Sequence, residues 1–181
     1  MLNWCVVGSG DVVQRLMKDS INIKNKSQIK CIISKNKSEA EKFSKKIGNI
    51  KFYNSNSSNI KKICEDNNIN SVYIATPPNT HFSYISKFCK FKKNIVCEKP
   101  LIINKKEYDK LKTLTKLYKF NLLTCFYRRY LDRFLYIKKI INKGYLGKIL
   151  YFEIKYFHNE KNHPTANIAR GKKIPWRFNK K

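Results

Sequence analysis

The chain has no apolar run approaching the roughly 18 residues that a membrane span needs, and no signal-peptide pattern at its start. It also has no C-x-x-C pair. The six cysteines stand at irregular spacings (5, 31, 64, 89, 97 and 125), which argues against a zinc or dithiol redox site. Most lie inside apolar runs, where a free thiol behaves as a small hydrophobe, so a reduced, cytoplasmic setting is expected. Acidic residues are scarce: 12 against 39 lysines and arginines, for a formal charge of +27. The excess is mostly lysine spread from Lys18 to Lys181, in company with asparagine and isoleucine. That distribution reads as a solvated surface, with no specific nucleic-acid interface expected. Weak, salt-sensitive association with polyanions and an attraction for phosphorylated ligands should accompany it.

What is present fits a globular protein of about one domain: 181 residues, 42% hydrophobic and 13% aromatic. Short apolar runs alternate with amphipathic segments. Strands are predicted at "LNWCVVG" (2–8), "IKCII" (29–33), "IKFY" (50–53), "SVYIAT" (71–76), "NIVCE" (94–98) and "NLLTCF" (121–126). Helices are predicted over about 11–19, 38–48 (closed by Gly48), 57–67 (starting among serines able to cap it), 80–91, 105–120 and 131–143 (ending at Gly144). Such alternation implies βαβ units, hence a Rossmann-type, doubly wound parallel sheet of the α/β class with ligands at the carboxyl ends of its strands. After Gly147, "KILYFEIKYF" (148–157) alternates apolar and polar residues, as a half-exposed strand of a second, α+β part would. The expected division is 1–125 and 126–181.

Four stretches carry chemistry. In "VVGSGDVV" (6–13) Gly8 permits a tight turn after a strand, and Gly10 lets backbone approach a pyrophosphate at a helix N-terminus. The fingerprint's third glycine is missing, with Val13 in its place. The end of the second strand, "SKNK" (34–37), has no carboxylate to accept from a ribose 2′-hydroxyl. Ser34 beside Lys35 suits a 2′-phosphate, so NADP is favoured over NAD; the bland alternative is two more surface lysines. "ATPPNTH" (75–81) lies beside the switch point, with prolines fixing the chain's exit and Asn79 and Thr80 available as helix caps. A lone histidine such as His81 is more often structural than functional. "NIVCEKPL" (94–101) ends an apolar run in two opposite charges and a proline, one strand farther on. Lys99 there could bond a nicotinamide ribose or a substrate hydroxyl, with Pro100 in a cis bond aiming it. The plain alternative is a Glu–Lys surface pair beside a helix start.

Together these stretches resemble the glucose–fructose oxidoreductase / inositol dehydrogenase / MocA (Gfo/Idh/MocA) family of NAD(P)-dependent oxidoreductases, along nearly the whole chain. "VCEKPL" is similar to the family's most specific signature. "CFYRRYLDRF" (125–134), "INKGYLGKI" and "PWRFN" (175–179) resemble later segments. The resemblance implies hydride transfer between nicotinamide and a hydroxyl or keto carbon of a sugar- or cyclitol-like substrate, with Lys99 as the catalytic-site lysine. It implies Gly8, Gly10, Asp11 and Val12 at the pyrophosphate, and Ser34 and Lys35 at the adenosine ribose. Thr76, Pro77, Asn79, His81 and Glu98 would flank the nicotinamide half, and Arg129, Trp176 and Arg177 would approach the cofactor. A full-length form would be a homo-oligomer.

The chain departs from the family after Lys181, before the family's D-x-x-x-H type motif; His158 and His163 match neither member of it. Cofactor binding is therefore expected to survive better than catalysis. Two readings from other classes remain: a non-catalytic nucleotide-binding module that associates with a subunit, and a basic nucleic-acid-binding protein.

Overall fold

The computed structural model describes residues 1–14, 26–155 and 157. Six strands, Leu2–Val7 (β1), Ser27–Ser34 (β2), Lys51–Asn54 (β3), Ser71–Ile74 (β4), Asn94–Cys97 (β5) and Leu122–Thr124 (β6), form one parallel sheet in the order β3-β2-β1-β4-β5-β6. The crossovers carry helices Lys37–Lys46 (α1), Ser57–Glu65 (α2), Pro78–Phe88 (α3) and Lys105–Tyr118 (α4), and Asp132–Asn142 (α5) follows the sheet. The chain divides into two compact units, Met1–Arg129 and Tyr130–Lys181.

The strand pattern explains the layering. Alternate residues point to opposite faces, so Cys5, Val7, Ile33, Val72, Ile74 and Ile95 share a cluster with Ile60, Ile85, Phe88 and Leu111 of α2, α3 and α4. Their neighbours Val6, Ile32 and Tyr73 pack on the other face with Val13 and with Ala40, Phe43 and Ile47 around α1. Both faces are thus covered by helices, as a doubly wound sheet requires. Val13, which stands where a third glycine was absent, is fully buried in the second cluster.

Local chemistry moved several predicted boundaries. The cap of α2 is Asn56, whose side-chain oxygen accepts from Asn59 N–H at 2.8 Å, while Ser57 and Ser58 enter the first turn. Helix α3 begins earlier than expected, at Pro78 behind Pro77, and has no side-chain cap. Asn79 and Thr80 lie inside it, where the Thr80 hydroxyl bonds Thr76 Oγ1 and Pro77 O instead. Its C-terminal end tightens into a 3₁₀ turn, Cys89–Phe91. Gly48 closes α1 at φ +98°, and the Lys99–Pro100 bond is cis. The strand expected over 148–157 does not form among the described residues of that stretch, which carry no ladder hydrogen bonds and stay exposed. Alternation supplies a face for burial, but a strand also needs a neighbour to take its N–H and C=O groups. The helix expected over 11–19 is described only at 11–14.

All six cysteines are free, and five are buried. Burial pushes the Cys64 thiol up to about 11. Cys97 is pushed up to about 12 by burial and then by the nearby Glu98 charge. The unfolded chain would shed these protons near pH 9. The stability this adds is therefore complete below pH 9 and lost as pH rises through about 11–12. At pH 8, iodoacetamide should label Cys64 and Cys97 on the order of 100-fold more slowly in the folded chain than in urea, because thiolate is the nucleophile. Peptide mapping checks this, and equal rates would contradict the packing described.

Candidate functional site

The carboxyl ends of the strands are laced together by single backbone bonds beyond the ladder. Gly8 N–H donates to Ile33 O at 2.8 Å, Ala75 N–H to Val7 O at 2.9 Å, Glu98 N–H to Ile74 O at 2.8 Å and Cys125 N–H to Cys97 O at 2.8 Å. Each link sets the start of one loop against the end of the neighbouring strand. The loops after β1, β2, β4, β5 and β6 therefore leave a common edge in fixed register, and the switch point lies between β1 and β4.

At that point Gly8 adopts φ +109°, and a Cβ built there would sit 2.7 Å from Ala75 O. Only glycine fits, for both its torsion and its close approach to backbone. Gly10 is the opposite case, with nothing within 4 Å of an added Cβ. Its backbone faces open space, and Asp11 opens the helical residues 11–14. Val12 is half-buried and Asp11 exposed. Between the glycines lies Ser9, which motif reading passed over. It is buried, and its hydroxyl meets that of Ser34 at 2.8 Å, tying the glycine turn to the end of β2. Ser34 Oγ also accepts from Asn36 N–H at 3.1 Å, while Lys35 beside it is exposed.

Thr76 and Pro77 form the exit from β4, with Pro77 and Asn79 exposed. His81, only 1% exposed, sits beneath them. One ring nitrogen contacts Thr76 O at 2.7 Å and the other Pro100 O at 2.8 Å. The ring is thus spent on two backbone carbonyls, one from each loop that flanks Lys99, and it offers no free nitrogen to a ligand. Its contribution to the site is to hold those loops together. Glu98 is 8% exposed and turns inward, taking a hydrogen bond from Tyr73 Oη at 2.9 Å. Lys99, next along, is exposed at the sheet edge. Its amide donates to Glu98 Oε2 at 3.3 Å.

The structure thus brings Gly8, Gly10, Asp11, Val12, Ser34, Lys35, Thr76, Pro77, Asn79, Glu98 and Lys99 to the strand ends and the loops leaving them. Arg129 lies in the 3₁₀ turn Tyr127–Tyr130, exposed, in the first unit. Trp176, Arg177, His158 and His163 lie outside the described residues. Tyr73, near Glu98, carried no motif signal, and Cys125, also near it, stood only as the first residue of "CFYRRYLDRF". Tyr73 reads in sequence as one more apolar residue of β4. Among the described residues no His, Cys, Asp and Glu cluster could hold a metal, and no helix is long and apolar enough to cross a membrane.

Two substitutions test this frame. Gly8→Ala should cost at least about 2 kcal/mol, from the torsion and the contact with Ala75 O. His81→Ala should cost about 2–4 kcal/mol, because it leaves a cavity where the buried ring packs and removes its contacts with Thr76 O and Pro100 O. Urea unfolding midpoints check both, and a wild-type midpoint for either would refute the corresponding contact.

Comparison with known proteins agrees with this geometry. Residues 2–123 match the GFO_IDH_MocA family, described as an oxidoreductase family with an NAD-binding Rossmann fold. Oxidoreductase P35 of Formosa agariphila is 25% identical over 176 residues, covering 97% of this chain and 52% of that protein. The myo-inositol 2-dehydrogenase of Thermotoga maritima is 33% identical over 87 residues, covering 48% of this chain and 26% of its own. Among solved structures, the 3-ketoreductase KijD10 of Actinomadura kijaniata, in complex with TDP-benzene and NADP, superposes with a TM-score of 0.67 at 17% identity. The match covers 79% of this chain and 44% of that one, and speaks for the fold alone. The chain spans about half the length of the first of these relatives. With its parallel sheet, its glycine turn at the switch point and a family match over 2–123, the chain belongs to the Gfo/Idh/MocA oxidoreductase family.

Proposed function

We propose that this chain binds a nicotinamide dinucleotide, NADP in preference to NAD, along the carboxyl ends of β1, β2, β4 and β5. The protein it represents would be an oxidoreductase acting on a hydroxyl or keto carbon of a sugar- or cyclitol-like substrate. Residues 1–125 would be the cofactor-binding domain and 126–181 the beginning of a substrate domain. The observation that carries this reading is the pairing of Gly8 with Gly10. The first is locked by Ala75 O and the second has bare backbone facing open space, a cradle that any side chain would fill.

The residues present suit the cofactor. The Gly10 backbone and the helical residues that Asp11 opens would receive the pyrophosphate. Ser34 and Lys35 would face the 2′-phosphate, with no carboxylate in "SKNK" to repel it. Lys99 would bond the nicotinamide ribose and the substrate hydroxyl, supplying positive charge where oxygen gains negative charge during transfer. When bound, the cofactor supplies the ring that accepts or donates the hydride. The names of two relatives support the details: one acts on myo-inositol, and the KijD10 complex holds NADP.

Fluorescence titration with NADPH and NADH at moderate salt tests the reading. NADPH should bind more tightly, and Lys35→Glu should remove two- to five-fold of that preference, as an exposed charge pair allows. Gly10→Ala should fold normally yet lose NADPH binding, because its methyl meets no protein atom but fills the cradle. Lys99→Ala should weaken NADPH about 10- to 100-fold, the range for a hydrogen bond from a charged group. A folded chain that binds neither cofactor would refute the proposal.

A further inference from the structure

We propose that Tyr73 and Cys125 are positioning residues: they hold the buried Glu98 carboxylate in the orientation from which it takes the Lys99 amide hydrogen, and so set the approach of Lys99 to cofactor and substrate. The inference deepens the reading of the cofactor site and rests on it for the role of Lys99.

Glu98 is the last residue before Lys99, and a buried carboxylate is costly unless donors surround it. Three consecutive strands of the sheet supply that environment. From the middle of β4, Tyr73 Oη donates to Oε1 at 2.9 Å. From the segment after β6, Cys125 is set beside Glu98 by the bond from its N–H to Cys97 O, and its thiol feels the charge of the same carboxylate. From the chain itself, Lys99 N–H donates to Oε2 at 3.3 Å. The backbone is fixed as closely: Glu98 N–H is tied to Ile74 O and Cys125 N–H to Cys97 O, each at 2.8 Å.

The two side chains keep their protons at neutral pH. Burial, followed by the charge of Glu98, pushes the Tyr73 phenol far above its ordinary value. Burial and then Glu98 push the Cys125 thiol up to about 11. Both groups therefore stay protonated, and the Tyr73 hydroxyl is committed to Glu98 as a donor. Removing either one frees the carboxylate to turn toward solvent, and the Lys99 amide loses its acceptor. Tyr73 is buried and its hydroxyl is engaged with Glu98, so an effect of Tyr73→Phe on the site must pass through Glu98 and Lys99.

The test uses Tyr73→Phe, Cys125→Ala and Cys125→Ser with two readouts. Hydrogen exchange of the Lys99 amide, followed by mass spectrometry on peptides spanning 97–101, needs no cofactor. It should quicken at least about five-fold in Tyr73→Phe and Cys125→Ala and stay near wild type in Cys125→Ser, which keeps a donor. NADPH titration should show a three- to ten-fold loss in the first two variants, rescue in Cys125→Ser, and no further loss when Tyr73→Phe is added to Lys99→Ala. Unchanged exchange in both Tyr73→Phe and Cys125→Ala would overturn the proposal, and so would a full additional loss in the double variant, which would mark a merely structural role. If wild-type chain binds no NADPH, the cofactor reading fails, and exchange at Lys99 alone still decides whether Tyr73 and Cys125 hold that amide.

Discussion

The contact on which the rest depends is the approach of Gly8 to Ala75 O, with the φ of +109° that makes it possible. It lets the turn after β1 fold directly against the start of the loop after β4, where strand order reverses. Once those two loops are set, the bond from Glu98 N–H to Ile74 O places the next loop, and the bond from Cys125 N–H to Cys97 O places the one after it. The candidate site is thus the edge of a hydrogen-bonded sheet, and its side chains inherit the sheet's rigidity rather than the mobility of loops.

Charge contributes little to holding this frame together. Ion pairs such as Lys37–Glu41 and Lys61–Glu65 are exposed and one helical turn apart at 3.9 Å, a geometry worth only a few tenths of a kcal/mol. Cohesion comes from the two apolar clusters on either face of the sheet, offset against the self-repulsion of a +27 surface. Polar groups inside the frame are few and each is committed. His81 joins two loops, Glu98 gathers donors beneath Lys99, and Lys93 points its ammonium at the carbonyls of Asp66 and Ile69. Burial pulls the Lys93 ammonium down, with Asp66 acting against it, so its place at the far end of β5 is structural.

Much of the fold was legible in the sequence because its signals are local. Six apolar runs separated by amphipathic segments imply strands, helices and their order, and two glycines at the end of the first run imply the turn. What misled were features whose outcome depends on a distant partner. The stretch 148–157 has the period of a strand, but none of its described residues finds a neighbour to pair with. Asn79 and Thr80 are a local exception: they have the chemistry of caps, but the prolines just before them start α3 early and draw both inside it. Position in three dimensions also shows what the His81 ring contacts, Thr76 O and Pro100 O, which residue type and spacing do not reveal.

By itself, then, the sequence determined the βαβ rhythm, the glycine turn, the absence of a carboxylate after β2 and the presence of a lysine after β5. These rest on residue type and spacing, which determine backbone torsion and periodicity within a few residues. Only the tertiary structure decided that Ser9 meets Ser34, that Tyr73 and Cys125 meet Glu98, and that one lysine among many, Lys93, is buried. The first two of these join residues 25 apart in the chain. Their geometry follows from the parallel register of the sheet, which no local pattern encodes.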